Sequence, residues 1–365
     1  MKAKIFTVFV LLAVLAVTLS GPAMAQGPGT PEPPLTRRAE EGLGIVPSGV
    51  EGVMAAQQAQ NVELVSQMGG CVYAVTLQGN YAYIGVGPRL VILNIADPAH
   101  PTMVGQTGVL PHVVEGVAVA GNYAYVAAGE SGLRIINVAD PAHPSETGYY
   151  DTPGWAEGVA VAGDYAYVAA GWGGLRIINV ADPAHPNQAG YYEMPAPGYA
   201  EDVAVVGDYA YVAAGDSGLR IINVADPASP SKTSYYDTPG WAEGVAVVGS
   251  YAYVADGWGG LRIINVADPA HPSETGYYDT PGWAEGMAVA GDYAYVAAGW
   301  GGLRIVDVSN PASPTETGFY GTPGYAWSVA VAGSYAYVAA GDSGLVILRF
   351  LSHRVYLPLV LRHYR

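Results

Sequence analysis

Residues 156–186 read AEGVAVAGDYAYVAAGWGGLRIINVADPAHP, a series of short alternating and β-branched runs separated by turn residues. Gly163-Asp164 supplies a two-residue hairpin turn. Residues 181–186 form a second turn, because prolines cannot donate to a strand ladder. A weaker run follows, so this stretch predicts four β-strands. Their predicted bounds are 156–162, 165–170, 175–180 and 188–193.

The same unit occurs seven times along the chain. Its Tyr-Ala-Tyr tripeptide begins at Tyr81, Tyr123, Tyr165, Tyr209, Tyr251, Tyr293 and Tyr335, so successive copies start 42 residues apart except for one gap of 44. A fixed period of this length indicates an array of supersecondary units that cannot bury their apolar faces alone. Four short strands in about 42 residues are typical of a β-propeller blade.

The two ends of the array predict a closed ring. Residues 62–68 align with the fourth strand of a repeat, whereas the last repeat stops after its third strand, residues 345–350. The N-terminal strand can therefore complete the last blade and remove an exposed sheet edge. We expect an all-β, seven-bladed β-propeller of four-stranded antiparallel blades over residues 62–350. A straight β-solenoid is the alternative, but it would need capping repeats and leaves this offset unexplained.

The third strand and its turn resemble a known repeat family. Residues 302–314, GLRIVDVSNPASP, resemble the LVIVD repeat, and related copies cover most of residues 62–350. Most copies depart from the pattern by an arginine at the second position and an asparagine at the fifth. The resemblance implies a secreted or cell-surface β-propeller without a defined biochemical role, and it supplies no catalytic residues.

The first 25 residues are predicted to be a secretory signal peptide. Lys2 and Lys4 precede an apolar run over residues 5–19, and Ala23-Met24-Ala25 offers a cleavage site. This run is shorter than the about 20 apolar residues of a retained transmembrane anchor. We therefore expect a secreted or cell-surface protein with no membrane span after cleavage. Residues 26–61 read as an extended, solvated Pro/Gly-rich linker. Residues 351–365 form a basic, apolar tail, either a sorting signal or an added strand on the side of the propeller.

The charge of the chain excludes one class of partner. The formal net charge is −16, and removal of Lys2 and Lys4 with the signal peptide makes it −18. Nucleic-acid binding needs clustered lysines and arginines, so nucleic acid is not expected as a partner. The single cysteine, Cys71, has no internal disulfide partner and is expected to be a semi-buried thiol. We expect a monomer.

Aromatic and acidic residues gather at one end of the predicted propeller. We call this end the crossover face, because it carries the loops between second and third strands and the crossovers between blades. All seven tryptophans fall there: Trp155, Trp172, Trp241, Trp258, Trp283, Trp300 and Trp327. Five axial glutamates lie there at equivalent positions: Glu115, Glu157, Glu201, Glu243 and Glu285. Loop carboxylates replace the loop tryptophan in three other blades: Glu130, Asp216 and Asp342.

Indoles beside carboxylates suit a glycan-binding surface, and tryptophan is also common at protein-binding hot spots. We therefore predict a non-catalytic binding or scaffold protein for a surface glycan or protein. The alternative for each tryptophan is that it caps a blade end. Two other functions remain open: a glycosidase using two axial glutamates about 5–10 Å apart, and a structural component of an envelope. Five identical axial residues favour binding over catalysis, since acid, base and nucleophile have different tasks.

No cofactor is expected, although five axial glutamates could hold calcium. The other interpretation is that they are solvated or pair with arginines of the third strands, which are Arg134, Arg176, Arg220, Arg262 and Arg304. On the opposite face, His100, His143, His185 and His271 lie on different blades, too far apart to share a metal ion. Asp97, Asp140, Asp182, Asp226 and Asp268 are predicted to cap their own turns. The Gly-Asp-Ser-Gly runs at 215–218 and 341–344 resemble a serine-protease segment but lack matching partners.

Overall fold

The computed structural model describes residues 59–351. The predicted signal peptide, nearly all of the predicted linker and the predicted tail beyond Leu351 lie outside the described residues. The described residues form seven antiparallel sheets of β-strands. The first strand of each sheet contacts the first strands of both neighbouring sheets, and the seventh contacts the first. The sheets are therefore the blades of a closed seven-bladed propeller, as the repeat period predicts.

Each blade is built in strand order from the axis outward. The first strands are Val72–Gln78, Gly116–Ala120, Gly158–Ala162, Asp202–Val206, Gly244–Val248, Gly286–Ala290 and Ser328–Ala332. The second strands are Tyr81–Val86, Tyr123–Ala127, Tyr165–Ala169, Tyr209–Ala213, Tyr251–Ala255, Tyr293–Ala297 and Tyr335–Ala339. The third strands are Leu90–Asn94, Leu133–Asn137, Leu175–Asn179, Leu219–Asn223, Leu261–Asn265, Leu303–Asp307 and Leu345–Phe350. The fourth strands of blades 1 to 6 are Thr102–Gln106, Ser145–Tyr150, Asn187–Tyr192, Ser231–Tyr236, Ser273–Tyr278 and Thr315–Tyr320.

The seventh blade takes its fourth strand from the N-terminal side of the array, which confirms the predicted closure. Strand Val62–Met68 pairs antiparallel with Leu345–Phe350, from Val62 opposite Phe350 to Met68 opposite Leu345. An ion pair between Glu63 and Arg349 lies across this pairing. The strand hydrogen bonds and the ion pair join the two ends of the array, so no blade has a missing strand.

A short additional strand precedes this closing strand. Ala59–Gln60 pairs with Tyr320 and Phe319 at the outer edge of blade 6, although both residues were assigned to the linker from sequence. Asn61 then bends the chain with a left-handed φ of 55°, which asparagine tolerates better than most residues. Its side-chain Nδ2 donates to the Thr317 carbonyl at 2.7 Å, so the turn itself is held to blade 6.

The core lies between neighbouring blades. On the second strand of blade 3, the buried Tyr167 faces blade 4, where it packs against a cluster that includes Ala210 and Val212. Ala166 and Val168 face the other way and pack against Tyr125 of blade 2. Side chains on a strand alternate between its faces, so each blade offers large residues on one side and small ones on the other. This difference in size allows identical blades to interdigitate around the ring.

The face opposite the crossover face consists of capped turns, as predicted. In blade 2, the Ala142 N–H donates to Asp140 Oδ1 at 3.1 Å, and His143 Nδ1 lies 2.8 Å from Asp140 Oδ2. The His143 ring and the Ala142 N–H lower the pKa of Asp140. Four blades repeat this Asp–His pair, and all four histidine side chains are exposed.

Candidate functional site

Paired backbone hydrogen bonds connect most blades to the next at the crossover face. Gly171, in the loop of blade 3, donates to the Ala200 carbonyl at 3.0 Å and accepts from the Ala200 N–H at 3.0 Å. The same bridge joins four other pairs of blades between residues 129 and 326. Each bridge fixes the loop of one blade beside the crossover of the following blade. Side chains from two blades therefore meet at each of these bridges.

The glycine of this bridge packs directly against an aromatic ring of the next blade, and we call such a ring seated. Gly171 has a φ of +55°, and a Cβ on it would lie 2.6 Å from Cζ of Tyr199, the crossover aromatic of blade 4. Only glycine permits both this left-handed backbone and this close approach. Gly215, Gly257 and Gly299 hold Trp241, Trp283 and Tyr325 in the same way. These crossover aromatics are therefore structural parts of the junctions.

The seated aromatic residue donates a hydrogen bond to the axial glutamate of the preceding blade. Trp241 Nε1 donates to Glu201 Oε1 at 2.8 Å, and Trp283 Nε1 donates to Glu243 Oε1 at 2.9 Å. The Tyr199 hydroxyl donates to Glu157 Oε1 at 3.1 Å, and the Tyr325 hydroxyl donates to Glu285. These four glutamates are buried, whereas Glu115 is half-buried. Charge-assisted bonds of this kind are among the stronger hydrogen bonds in proteins.

The repeated arginines have other partners than the predicted axial glutamates. Arg134 lies opposite Tyr149 in the strand register, and its guanidinium lies 4.5 Å from the centre of that ring. It also pairs with Asp151 at 3.0 Å and Glu146 at 3.4 Å. Pairing with the axial glutamates was one of two interpretations that the sequence left open, the other being solvation. In blade 2, Arg134 contacts the fourth strand and the residue that follows it.

The seven tryptophans divide into two groups by exposure. Trp241 and Trp327 are buried, and Trp155 and Trp283 are half-buried. The loop tryptophans, Trp172, Trp258 and Trp300, are 63%, 57% and 72% exposed. The sequence placed all seven at one face but did not separate them, since exposure depends on whether a ring sits on a bridge glycine or follows it. The solvent-facing indoles are therefore those of blades 3, 5 and 6.

Two of the three loop tryptophans make edge contacts with crossover aromatic rings. The Trp172 ring makes an edge contact with Tyr199, with ring centres 6.1 Å apart, and Trp300 does the same with Tyr325 at 5.3 Å. Aromatic edge contacts of this type fix the orientation of a ring beyond simple burial. The loop carboxylates Glu130, Asp216 and Asp342 are exposed at the equivalent positions of blades 2, 4 and 7. The loop tryptophans and the loop carboxylates thus lie on the same part of the crossover face, which we call the loop rim or, for short, the rim.

Two aspartates near this face, the half-buried Asp202 and the fully buried Asp256, were missed by the sequence reasoning. Asp202 occupies a first-strand position that is glycine in four other blades, and Asp256 occupies a position that is alanine in five others. Burial raises the pKa of each carboxyl to about 6, although backbone N–H groups at Val245 and Gly240 stabilise the charged forms. A blade-by-blade alignment would have identified both as departures from the repeat.

A free thiol and a surface cleft are further candidates for a chemical role. Cys71 is a half-buried free thiol, 3.1 Å from Asp342 Oδ1, and burial raises its pKa. An open cleft of about 500 Å³ lies between the fourth strand of blade 2 and the proline turn of blade 3, lined by Glu146, Tyr149 and His185. Among residues 59–351, no group of three or more His, Cys, Asp or Glu residues is placed to hold a metal ion. No helix in that range is long and apolar enough to cross a membrane.

These features define a seven-bladed β-propeller assembled from sequence repeats. The LVIVD repeat matches residues 69–108, 113–152, 153–194, 197–238, 239–280, 281–322 and 323–348, and the chain belongs to this family. The comparison with curated proteins gives no match.

Solved structures with low sequence identity share the fold. The Swd1 β-propeller domain of Myceliophteria thermophila is 11% identical, with a TM-score of 0.64, and the match covers 79% of this chain and 99% of that one. The RRP9 WD40 repeats are 11% identical, with a TM-score of 0.63 and coverage of 80% and 99%. BamB from Moraxella catarrhalis is 13% identical, with a TM-score of 0.56 and coverage of 78% and 85%. At these identities the likeness concerns the fold alone.

Proposed function

We propose that this protein is a secreted or cell-surface binding protein without catalytic activity, and that its crossover face binds a surface glycan. One observation carries the proposal: the three loop tryptophans are exposed, while rings seated on bridge glycines occupy the rest of the junctions. An exposed indole offers a flat apolar face, on which the C–H face of a pyranose can stack. Exposed carboxylates on the same rim can accept hydrogen bonds from sugar hydroxyls.

Two further points favour a glycan over a protein partner and over catalysis. The loop tryptophans stand singly, one per blade, whereas protein hot spots cluster in closely packed, desolvated pockets. Four axial glutamates accept hydrogen bonds from crossover aromatics, which gives these carboxylates a structural task in every junction that has them. The proposal therefore assigns ligand contact to the loop residues and support to the axial glutamates.

A glycan and cell-wall binding screen of the purified protein tests this function. The test variant carries Trp172→Ala, Trp258→Ala and Trp300→Ala. The matched control carries Tyr149→Ala, Tyr191→Ala and Tyr277→Ala, which removes three exposed rings from the fourth strands instead. We expect the loop variant to bind at least about tenfold more weakly and the control to bind like the natural protein. Equal binding by the loop variant and the natural protein would refute the proposal.

A further inference from the structure

On the crossover face, the aspartates that follow the fourth strands are exposed to solvent, whereas the arginines with which they pair are covered. The guanidinium side chains of Arg134, Arg220 and Arg262 are only 9%, 11% and 11% exposed, because fourth-strand tyrosine rings cover them. Their partners are open: Asp151, Asp237 and Asp279 are 66%, 67% and 72% exposed. A ligand approaching this face therefore meets carboxylates before it meets cations.

The loop rim adds to this asymmetry. The loop residue is Glu130 in blade 2, Asp216 in blade 4 and Asp342 in blade 7, and all three are exposed. Blade 1 has Arg89 in the corresponding loop, but its Nη1 donates to the Thr107 carbonyl at 2.7 Å. The only lysine after residue 25, Lys232, lies on a fourth strand and stacks on Tyr235 at 4.3 Å. The exposed loop residues of the rim are thus carboxylates and indoles, whereas Arg89 is half-buried.

Carboxylates and exposed indoles share a preference for cations. A positive group over an indole face is attracted by the ring quadrupole, and tryptophan is the best of the aromatic residues for this contact. Exposed carboxylates on the same face attract the same group at longer range. A neutral sugar could stack on the indoles of the rim, but it would leave the negative charge of the carboxylates without a partner.

We propose that the ligand of the crossover face is a cationic aminosugar polymer, whose pyranose rings stack on the loop tryptophans while its ammonium groups face the loop carboxylates. This inference rests on the proposed function and narrows its ligand class. A polymer suits the site because the loop tryptophans belong to blades 3, 5 and 6 and the loop carboxylates to blades 2, 4 and 7. One short sugar cannot contact groups on so many blades, whereas a chain following the rim can.

Two oligosaccharides with the same sugar backbone, one charged and one neutral, test the inference. The glucosamine hexamer is protonated at about pH 5.5, and the N-acetylglucosamine hexamer has the same backbone without charge. Calorimetric titration of the purified protein should give at least about tenfold tighter binding of the charged hexamer, and this preference should shrink as ionic strength rises. Equal dissociation constants for the two hexamers would overturn the inference.

Variants separate the two interactions. The triple change Glu130→Gln, Asp216→Asn and Asp342→Asn should abolish the preference for the charged hexamer while binding of the neutral one persists. The loop-tryptophan variant should lose both. A preference that survives the amide substitutions would overturn the inference. Equally tight binding of the charged hexamer by the natural protein and the loop-tryptophan variant would overturn it too, since charge alone would then explain the attraction.

The outcomes also separate this inference from the proposed function. Tryptophan-dependent binding of a neutral glycan, without preference for the charged hexamer, would overturn the inference and leave the proposed function standing. Failure to bind any glycan in the screen would overturn both.

Discussion

The buried aspartate of blade 5 predicts a dependence of stability on pH that one substitution should remove. Asp256 has no exposed surface, and its Oδ2 accepts from the Gly240 N–H at 2.8 Å and lies 3.7 Å from Arg262 Nε. Its Oδ1 has no hydrogen-bond partner among the described residues. Burial raises the pKa from 3.8 to about 6, against the opposing effects of the Thr238 hydroxyl, the Gly240 N–H and Arg262.

The size and sign of the effect follow from that shift. The pKa of Asp256 is higher in the folded state by about two, which corresponds to about 3 kcal/mol of unfolding free energy at about 1.4 kcal/mol per pH unit. The folded state holds the proton more tightly than the unfolded state. The contribution to stability is therefore fully present below about pH 4, and it is lost as pH rises through about 6. At neutral pH the folded protein carries the cost of a buried, incompletely paired charge.

Denaturant unfolding between about pH 4 and pH 8 measures this contribution. Asp256→Asn keeps the shape and an acceptor for Gly240 but removes the ionisation. The stability of the natural protein relative to this variant should fall by about 3 kcal/mol between pH 4 and pH 7. Asp279→Asn, at the exposed partner of the same Arg262, is the control and should show no such change. Parallel curves for the natural protein and Asp256→Asn would refute the reasoning.

Two further predictions concern the junctions between blades. Trp241→Phe removes the indole donor to a buried glutamate and should cost about 1.5–3 kcal/mol in denaturant unfolding, while Trp258→Phe, at an exposed ring, should change stability by less than about 0.5 kcal/mol. A cost for Trp258→Phe equal to that of Trp241→Phe would contradict this division. Gly148→Ala would place a Cβ 2.3 Å from the Pro183 carbonyl oxygen of the next blade and should cost about 1–3 kcal/mol, whereas Gly108→Ala meets nothing within 4 Å and should leave the melting temperature unchanged. Equal melting temperatures for these two variants would show that adjacent blades can move apart.

The fold was predictable from the sequence because its information is repeated. Strand bounds for the third repeat differ from the observed ones by at most two residues, and the closing strand, residues 62–68, matches fully. Seven copies of one alternating pattern specify the same period and the same inward face. The array begins with an extra fourth strand and ends without one, so pairing these two ends closes the ring without leaving an exposed strand edge.

The partners within the site were less predictable. Glu201 and Trp241 lie 40 residues apart, and their contact depends on the left-handed Gly215, which belongs to neither motif. The sequence shows that glutamates and indoles share a face. It does not show which indole sits on a glycine, so buried and exposed tryptophans look alike. The short strand at Ala59 and Gln60 was missed for a similar reason, since two residues carry no periodic signal.

The loops of the crossover face keep two flanking glycines, which we call the frame, and carry one of two alternative pairs of residues between them. Six loops share the pattern Gly-X-X-Gly, and the two inner residues are either Trp-Gly or an acid followed by serine: residues 129–132, 171–174, 215–218, 257–260, 299–302 and 341–344. In the tryptophan type, the second residue is tightly enclosed, since a Cβ on Gly173 would lie 1.6 Å from the Pro153 carbonyl oxygen. The bridges between blades require the frame glycines. The first residue between these glycines is exposed, and the bridges do not restrict its side chain. A constant frame that presents either an indole or a carboxylate to solvent supports the proposed binding role, because loops on a fixed scaffold can vary their exposed residues without disturbing the core.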